Sequence, residues 1–329
     1  MKTEDQKDIE ATRWNHRPTG PVALNPMFDW PPKFFAIMRW YSAYWLAAST
    51  TTLALVLAIA AYFTILPSLE AMQKPQLGWI TRVWIANLVP HTICAGVLHL
   101  WLYKFKGQDK DFKYDPRQPA TNNGIFSFRN QVHDNMFWTL ISGVSQWSIM
   151  QCLVFWAMAN GYAPAFLFPD NIIWFFLMFP FLILWASFHF YWVHRLLHFP
   201  FLYKRYHALH HRNINIGPWS GLSMHPVEHL LYLSSFCIHW IIATHPIHLI
   251  FHVIWQGPAA AMTHSGYEDL LIKDKRRLAL GTFYHQLHHR YFECNYGNQE
   301  MPWDRWFGTF HDGSERSTEE TRARKKNMY

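Results

Sequence analysis

The chain has 329 residues, of which half are apolar, 18% are aromatic and only 16% are charged. That balance excludes an ordinary soluble domain, where about a quarter of residues are charged, and it excludes a disordered chain, which lacks apolar residues to bury. A formal net charge of +7 raises nucleic acid as a partner, but the basic residues cluster beside apolar runs. Membrane topology and anionic head groups explain them better.

Residues 1–40 form a polar N-terminal segment of mixed charge without the apolar core of a cleavable leader. The first apolar run is therefore expected to act as its own insertion signal. Four runs without Asp, Glu, Lys or Arg follow, at Tyr41–Leu66, Val83–Tyr103, Asn135–Pro169 and Asn171–His194. Each reaches the ~20 residues that a helix needs to cross a bilayer. The mean hydropathy near zero does not contradict this, because Trp, Tyr and His lower the average while suiting interfaces and buried sites.

Lys2, Lys7, Arg13, Arg17, Lys33 and Arg39 precede the first run, and Lys104, Lys106, Lys110, Lys113, Arg117 and Arg129 lie between the second and third. The connections at 67–82 and 161–170 carry only Lys74 and Arg82. By the positive-inside rule the N-terminus, the 104–134 loop and everything after His194 face the cytoplasm. The expected fold is an all-α polytopic membrane protein. Four transmembrane helices within 41–195 form two hairpins, followed by a cytoplasmic helical cap at 196–312 and a charged tail at 313–329. Within the cap, 230–262 is apolar and interrupted by Pro246. It is too short for two crossings at ~20 residues each, so its helices are expected to dip into the membrane and return. Cys94, Cys152, Cys237 and Cys294 are scattered without a C-x-x-C pair and read as small buried hydrophobes rather than ligands or disulfides.

Histidine carries the chemistry. HRLLH holds His194 and His198, HALHH holds His207, His210 and His211, and HQLHH holds His285, His288 and His289. Spacings of three and four place such side chains on one helical face. The bland reading of a histidine, hydrogen-bonded or solvated, suits the isolated ones: His16, His133 and His311 as solvated residues, and His91, His99, His239, His245, His248 and His252 as packed ones. His189 fits either reading. Eight clustered imidazoles exceed what one ion binds, so two metal ions are expected. Imidazole suits zinc, copper, iron and nickel alike. Iron follows from the chemistry that an apolar membrane chamber would need, the oxidation of an unactivated C–H bond by activated oxygen.

FYWVHRLLH, LYKRYHALHH, MHPVEH, THSGYE, YHQLHH and NYGNQEMPWDRWFGTF, in that order over roughly 180–312, resemble the fatty acid hydroxylase and sterol desaturase superfamily of integral-membrane di-iron oxygenases. QVHDNMFWTLISG at 131–143 is a fainter echo. The resemblance implies that His194, His198, His207, His210, His211, His285, His288 and His289 are metal ligands, joined by His264 of THSGYE. It implies supporting roles at the catalytic site for His225 of HPVEH and for Glu268, and it makes Asn295, Tyr296, Trp303, Asp304, Phe307 and Gly308 a closing signature that packs and orients the last triplet. Two positions depart from relatives: Ser187 stands where many carry Asp, and Glu268 where some carry a second histidine. Glu268 is expected to accept a hydrogen bond from a ligand such as His264, with direct iron ligation as the alternative.

The implied function is hydroxylation of a lipid or sterol C–H bond, with two iron ions, O2 as co-substrate and a separate electron donor, a b-type cytochrome or a ferredoxin with its reductase. No Rossmann glycine signature or cysteine cluster encodes that donor in this chain. The implied location is the bacterial inner membrane or the endoplasmic reticulum, with the active site facing the cytoplasm. The rivals are a desaturase using the same site, a histidine-rich metal transporter and a catalytically silent scaffold. HRLLH, HPVEH and HSGYE lean toward the sterol branch.

Overall fold

The structure is a computed structural model that describes residues 14–18, 25–29, 31–46 and 49–328. Lys2, Lys7 and Arg13 of the N-terminal segment lie outside the described residues. Most of the chain is helical. Helix α1 (Phe34–Tyr41) continues as a π turn, Ser42–Leu46, and α2 (Thr50–Thr64) follows. Ser49 Oγ accepts from Thr52 N and starts α2 afresh, so the first apolar run is not one continuous helix. At 1.5 Å per residue the 15 residues of α2 extend only ~22 Å, short of the ~30 Å hydrocarbon core.

Among the described residues three helices are long and apolar enough to cross a membrane: α3 (Leu77–Lys104), α4 (Gln131–Ala159) and α5 (Ile172–Leu197). The sequence runs predicted four. Both α3 and α4 contain a π turn, at Leu100–Lys104 and Trp138–Val144. Such turns change which face of a helix meets its neighbours.

Beyond α5, helix α6 covers 200–211 and includes a π turn at Tyr203–His207. Next comes a helical hairpin of α7 (Pro226–Leu233), a 3-10 turn (Ser234–Trp240) and α8 (Pro246–Thr263). Its tip is pinned to the connection between α4 and α5. There Phe166 N donates to Thr244 O, and Thr244 N donates to Pro164 O, both at 3.3 Å. Helix α8 packs on α2 and α3. Ala54, Ala58 and Ala61 line the buried face of α2, small residues that let helices approach closely. Gly257 serves the same end: a Cβ there would lie 2.0 Å from the Trp147 ring.

The all-α expectation needs one correction. Asp269–Ile272 (β1) and Lys275–Ala279 (β2) form an antiparallel hairpin. Its turn residues Lys273 and Asp274 both have positive φ, 53° and 58°, the conformation that suits a two-residue hairpin. Helices α9 (Phe283–Tyr291), α10 (Trp303–Trp306) and α11 (Glu315–Met328) complete the cap, and the charged tail is thus largely helical. All four cysteines are free thiols.

Candidate metal centre

His194 sits in the last turn of α5 and His198 caps that helix. His207, His210 and His211 end α6, His264 caps α8, and His285, His288 and His289 lie on α9. All nine side chains are buried. They form two groups with one ring nitrogen from each member converging: His194, His198, His207, His211 and His288 in one, and His210, His264, His285 and His289 in the other.

Helical geometry explains the division. At 100° per residue, positions i and i+4 diverge by only ~40°, whereas i+3 and i+4 point ~100° apart. In each triplet the i, i+4 pair stays together and the i+3 histidine crosses to the other group. His207 and His211 meet His288, while His285 and His289 meet His210. The expectation that each triplet presents one face is corrected accordingly, since every triplet serves both groups.

Nitrogens that would repel one another as bare lone pairs are brought very close. His211 Nε2 and His288 Nε2 are 3.0 Å apart, and His264, His285 and His289 bring their Nε2 atoms within 2.9–3.2 Å of one another. Two ligands about 2.1 Å from a common ion at right angles would be ~3.0 Å apart. The outward nitrogens settle which inner ones carry lone pairs. Nδ1 of His194 faces Tyr296 O at 2.6 Å, that of His288 faces Cys294 O at 2.6 Å, and that of His264 faces Ala260 O at 3.0 Å. A carbonyl only accepts, so these rings carry hydrogen on Nδ1 and turn an unprotonated Nε2 inward, as metal ligation requires.

Two carboxylates extend this pattern. Glu228 Oε1 lies 2.7 Å from His207 Nδ1, and Glu293 Oε1 lies 3.3 Å from His198 Nδ1. Burial pushes His207 down to about 3 and Glu228 well above the usual carboxylate range. Burial likewise lowers His264 to about 4. The rings are therefore neutral donors. His207 Nε2 is buried without a hydrogen-bond partner, a cost that a cation at that point would remove. The donor set thus fits two metal ions.

The closing signature and the residue before Asn295 hold the carbonyls that face His194 and His288. Asp304 accepts from Tyr296 N at 2.8 Å, Gly297 N at 2.7 Å and Thr309 Oγ1 at 2.6 Å, and also from the Tyr284 hydroxyl. Tyr296 OH donates to Glu293 Oε2 at 2.6 Å. Asn295 Nδ2 donates to Tyr284 O and His311 O, tying α9 to the chain beyond it. Glu228 and Glu293 escaped the sequence reading. For Glu228 the signal was an acid beside His229 in a stretch otherwise free of charge, whereas Glu293, four residues beyond His289, carried no such mark.

Other expected site residues lie elsewhere. His225 caps α7, its Nδ1 accepting from Val227 N, and its ring packs on Tyr206. It belongs to neither nitrogen group. Glu268 also stands outside both groups: its carboxylate meets His16 Nε2 at 2.5 Å rather than His264. His16 and His311, expected in solvent, are instead half-buried and buried. Ser187 Oγ donates to Asn298 Oδ1 at 2.6 Å, so this departure from the relatives touches the closing loop and not a ligand.

A cavity of about 580 Å³ lies against both groups, lined by His194, His207, His210, His264 and His285. Phe190, Val193, Leu197, Trp255 and Ala259 supply apolar wall, and Tyr232, Gln256, Glu268 and Glu300 bring polar groups to it. This is the size of pocket that encloses a small organic molecule. Its position puts such a molecule beside the converging nitrogens.

Residues 179–309 match the sequence profile of the fatty acid hydroxylase family. This part of the chain belongs to the fatty acid hydroxylase and sterol desaturase superfamily. Among similar members, the Delta(7)-sterol 5(6)-desaturase erg3B of Aspergillus fumigatus is 31% identical over 167 residues, 48% of this chain and 47% of that protein. A putative Delta(7)-sterol-C5(6)-desaturase 2 of Arabidopsis thaliana is 29% identical over 186 residues, covering 53% and 60%. The Delta(7)-sterol 5(6)-desaturase ERG3 of Saccharomyces cerevisiae is 32% identical over 125 residues, covering 36% and 32%. Each of these matches spans less than two thirds of the relative's own length. No solved structure matches this chain.

Proposed function

We propose that the chain is a membrane-embedded di-iron oxidoreductase that introduces a double bond into a sterol or closely related lipid. The single observation that carries this reading is the pair of buried histidine groups flanking one largely apolar cavity. The relatives named as sterol desaturases favour desaturation over the hydroxylation expected from sequence, and the hydroxylase reading gives way to it. Transport is not favoured, since the ligands form two closed groups beside a cavity rather than a series along the helices.

In this reading the nine histidines hold two iron ions, which when bound supply the power to activate O2 for removal of hydrogen from carbon. Glu228 and Glu293 hold the Nδ1 sides of His207 and His198 and so fix the orientation of the two rings. The carbonyls of Cys294 and Tyr296 do the same for His288 and His194. The apolar wall between α5 and α8 admits a rigid hydrocarbon and keeps bulk water away. A separate reduced electron carrier supplies electrons. α3, α4 and α5 cross the membrane, the α1–α2 segment contributes the remaining passage of two hairpins, and the site faces the cytoplasm, in the endoplasmic reticulum or a bacterial inner membrane.

The test is sterol and lipid profiling of cells expressing the chain or its His211→Ala variant. The expected product is a sterol two hydrogens lighter, absent with the variant. A product heavier by one oxygen would restore the hydroxylase reading, and an unchanged lipid profile would remove the substrate assignment.

A further inference from the structure

Apart from the metal groups, one line of polar side chains runs through the apolar hairpin. Thr244 Oγ1 lies 2.9 Å from His239 Nδ1, and His239 Nε2 lies 3.1 Å from His252 Nδ1. His252 Nε2 lies 3.4 Å from Ser235 Oγ, which donates to Gln256 Oε1 at 2.8 Å. All five residues are buried. Thr244 sits at the hairpin tip, held by Pro164 and Phe166, while Gln256 lines the cavity beside the histidine groups. From the first residue of α8, Pro246, to Gln256 the line runs ~15 Å along the helix at 1.5 Å per residue.

One set of protons satisfies every link in the same direction. Because Ser235 gives its hydrogen to Gln256, His252 Nε2 must donate to Ser235, which leaves His252 Nδ1 as an acceptor. His239 Nε2 then donates to it, and His239 Nδ1 accepts from the Thr244 hydroxyl. Each imidazole can take a proton on one nitrogen and release one from the other. Histidines inside a membrane segment are costly, and chains of them mark proton paths. The other titratable groups beside the line are bonded outside it, His189 to Ser234 Oγ, His248 to Phe175 O and His245 Nε2 to the Tyr62 hydroxyl, while Tyr232 donates to the backbone oxygen of Gln256.

We propose that Thr244, His239, His252 and Ser235 form a proton relay that delivers protons to the cavity at Gln256 from the opposite end of the helix bundle. The inference rests on the oxygen-dependent reading above. Converting a saturated carbon pair and O2 into a double bond and two waters takes two electrons from the external carrier. The substrate gives up two hydrogens, and two protons must come from solvent. The relay supplies them without opening the apolar cavity to water.

The test uses full-length, metal-loaded protein in nanodiscs, reduced chemically and mixed with O2 in weak buffer containing a pH indicator, so no lipid substrate is needed. His252→Gln and His239→Gln keep polar atoms but cannot pass a proton between two ring nitrogens. Both are expected to take up protons at least about tenfold more slowly than wild type, in line with the size of general acid–base effects. Metal content should be unchanged and added imidazole should restore the rate. Ser235→Ala provides the same readout if either histidine variant fails to fold. Uptake within about twofold of wild type in folded variants holding both metals would overturn the relay, as would no uptake by wild type. Wild type that takes up protons at a rate sensitive to His252→Gln, yet alters no sterol, would support the relay and sink the sterol assignment.

Discussion

His210 and His211 are adjacent in the chain, yet they belong to different nitrogen groups, with ring centroids 5.6 Å apart and planes at 84°. The two groups are therefore interlocked: α6 and α9 each lend two histidines to one and a single histidine to the other. Neither group can form unless both helices dock.

The groups differ in ligand number, and that yields a prediction. Removing His210 leaves three histidines in its group, whereas removing His211 leaves four in the other. His210→Ala is expected to lose about one metal equivalent on dialysis, while His211→Ala retains more metal but makes no product. Elemental analysis beside a product assay checks it. Equal retention of both metals by the two variants would contradict the grouping.

Glu228→Gln keeps the shape and an oxygen near His207 but replaces the carboxyl group that pairs with its Nδ1. The expected outcome is a 10–100-fold loss of metal affinity or turnover, the usual effect of such partners. The fold should be intact by circular dichroism. Wild-type turnover with tightly held metal would show that Glu228 only fills space.

Asp304 gathers four donors in a buried site. Asp304→Asn turns an amide NH2 toward some of them, and losing hydrogen bonds to a charged acceptor costs ~1.5–3 kcal/mol each. A clear fall in Tm is expected, with metal lost from the His194 and His288 side first, because the carbonyls of Tyr296 and Cys294 would move. An unchanged Tm would remove Asp304 from the account.

Burial pushes His311 down to about 4, where its Nδ1 accepts from Gly313 N and its Nε2 meets Thr318 of α11. Its folded pKa lies below the unfolded value of ~6.5. The neutral ring therefore contributes full stability above that value, and the contribution is lost as pH falls toward 4. The protection factors of amides in α11, measured against the intrinsic exchange rate at each pH, should fall between pH 7 and pH 5, and His311→Phe should flatten that dependence. An equal pH response in the variant would contradict it.

Much of the histidine cluster was legible because one residue type recurs at helical spacing. The nine histidines read from motifs and resemblance are the nine the fold gathers. What was not legible depends on angles and long-range packing. Triplet spacing tells which residues share a helix but not which neighbour each ring will meet, so the exchange of His210 and His288 was hidden. The partner of Glu268 is His16, 252 positions away, and no local pattern announces such a pair. The break at Ser49 was equally hidden, because a hydroxyl residue inside an apolar run reads as tolerated until its side chain is seen capping a helix. The β hairpin at 269–279 is short and charged, and it lacks the alternation that identifies a strand.

The central claim is that the interlocked histidine groups hold two metal ions. It is tested most directly by the metal-to-protein ratio of freshly purified, folded, full-length protein. The account predicts two ions per chain, with iron in active preparations, although zinc can occupy such a site after overexpression because affinity order does not favour iron. One ion or none per folded chain would contradict it.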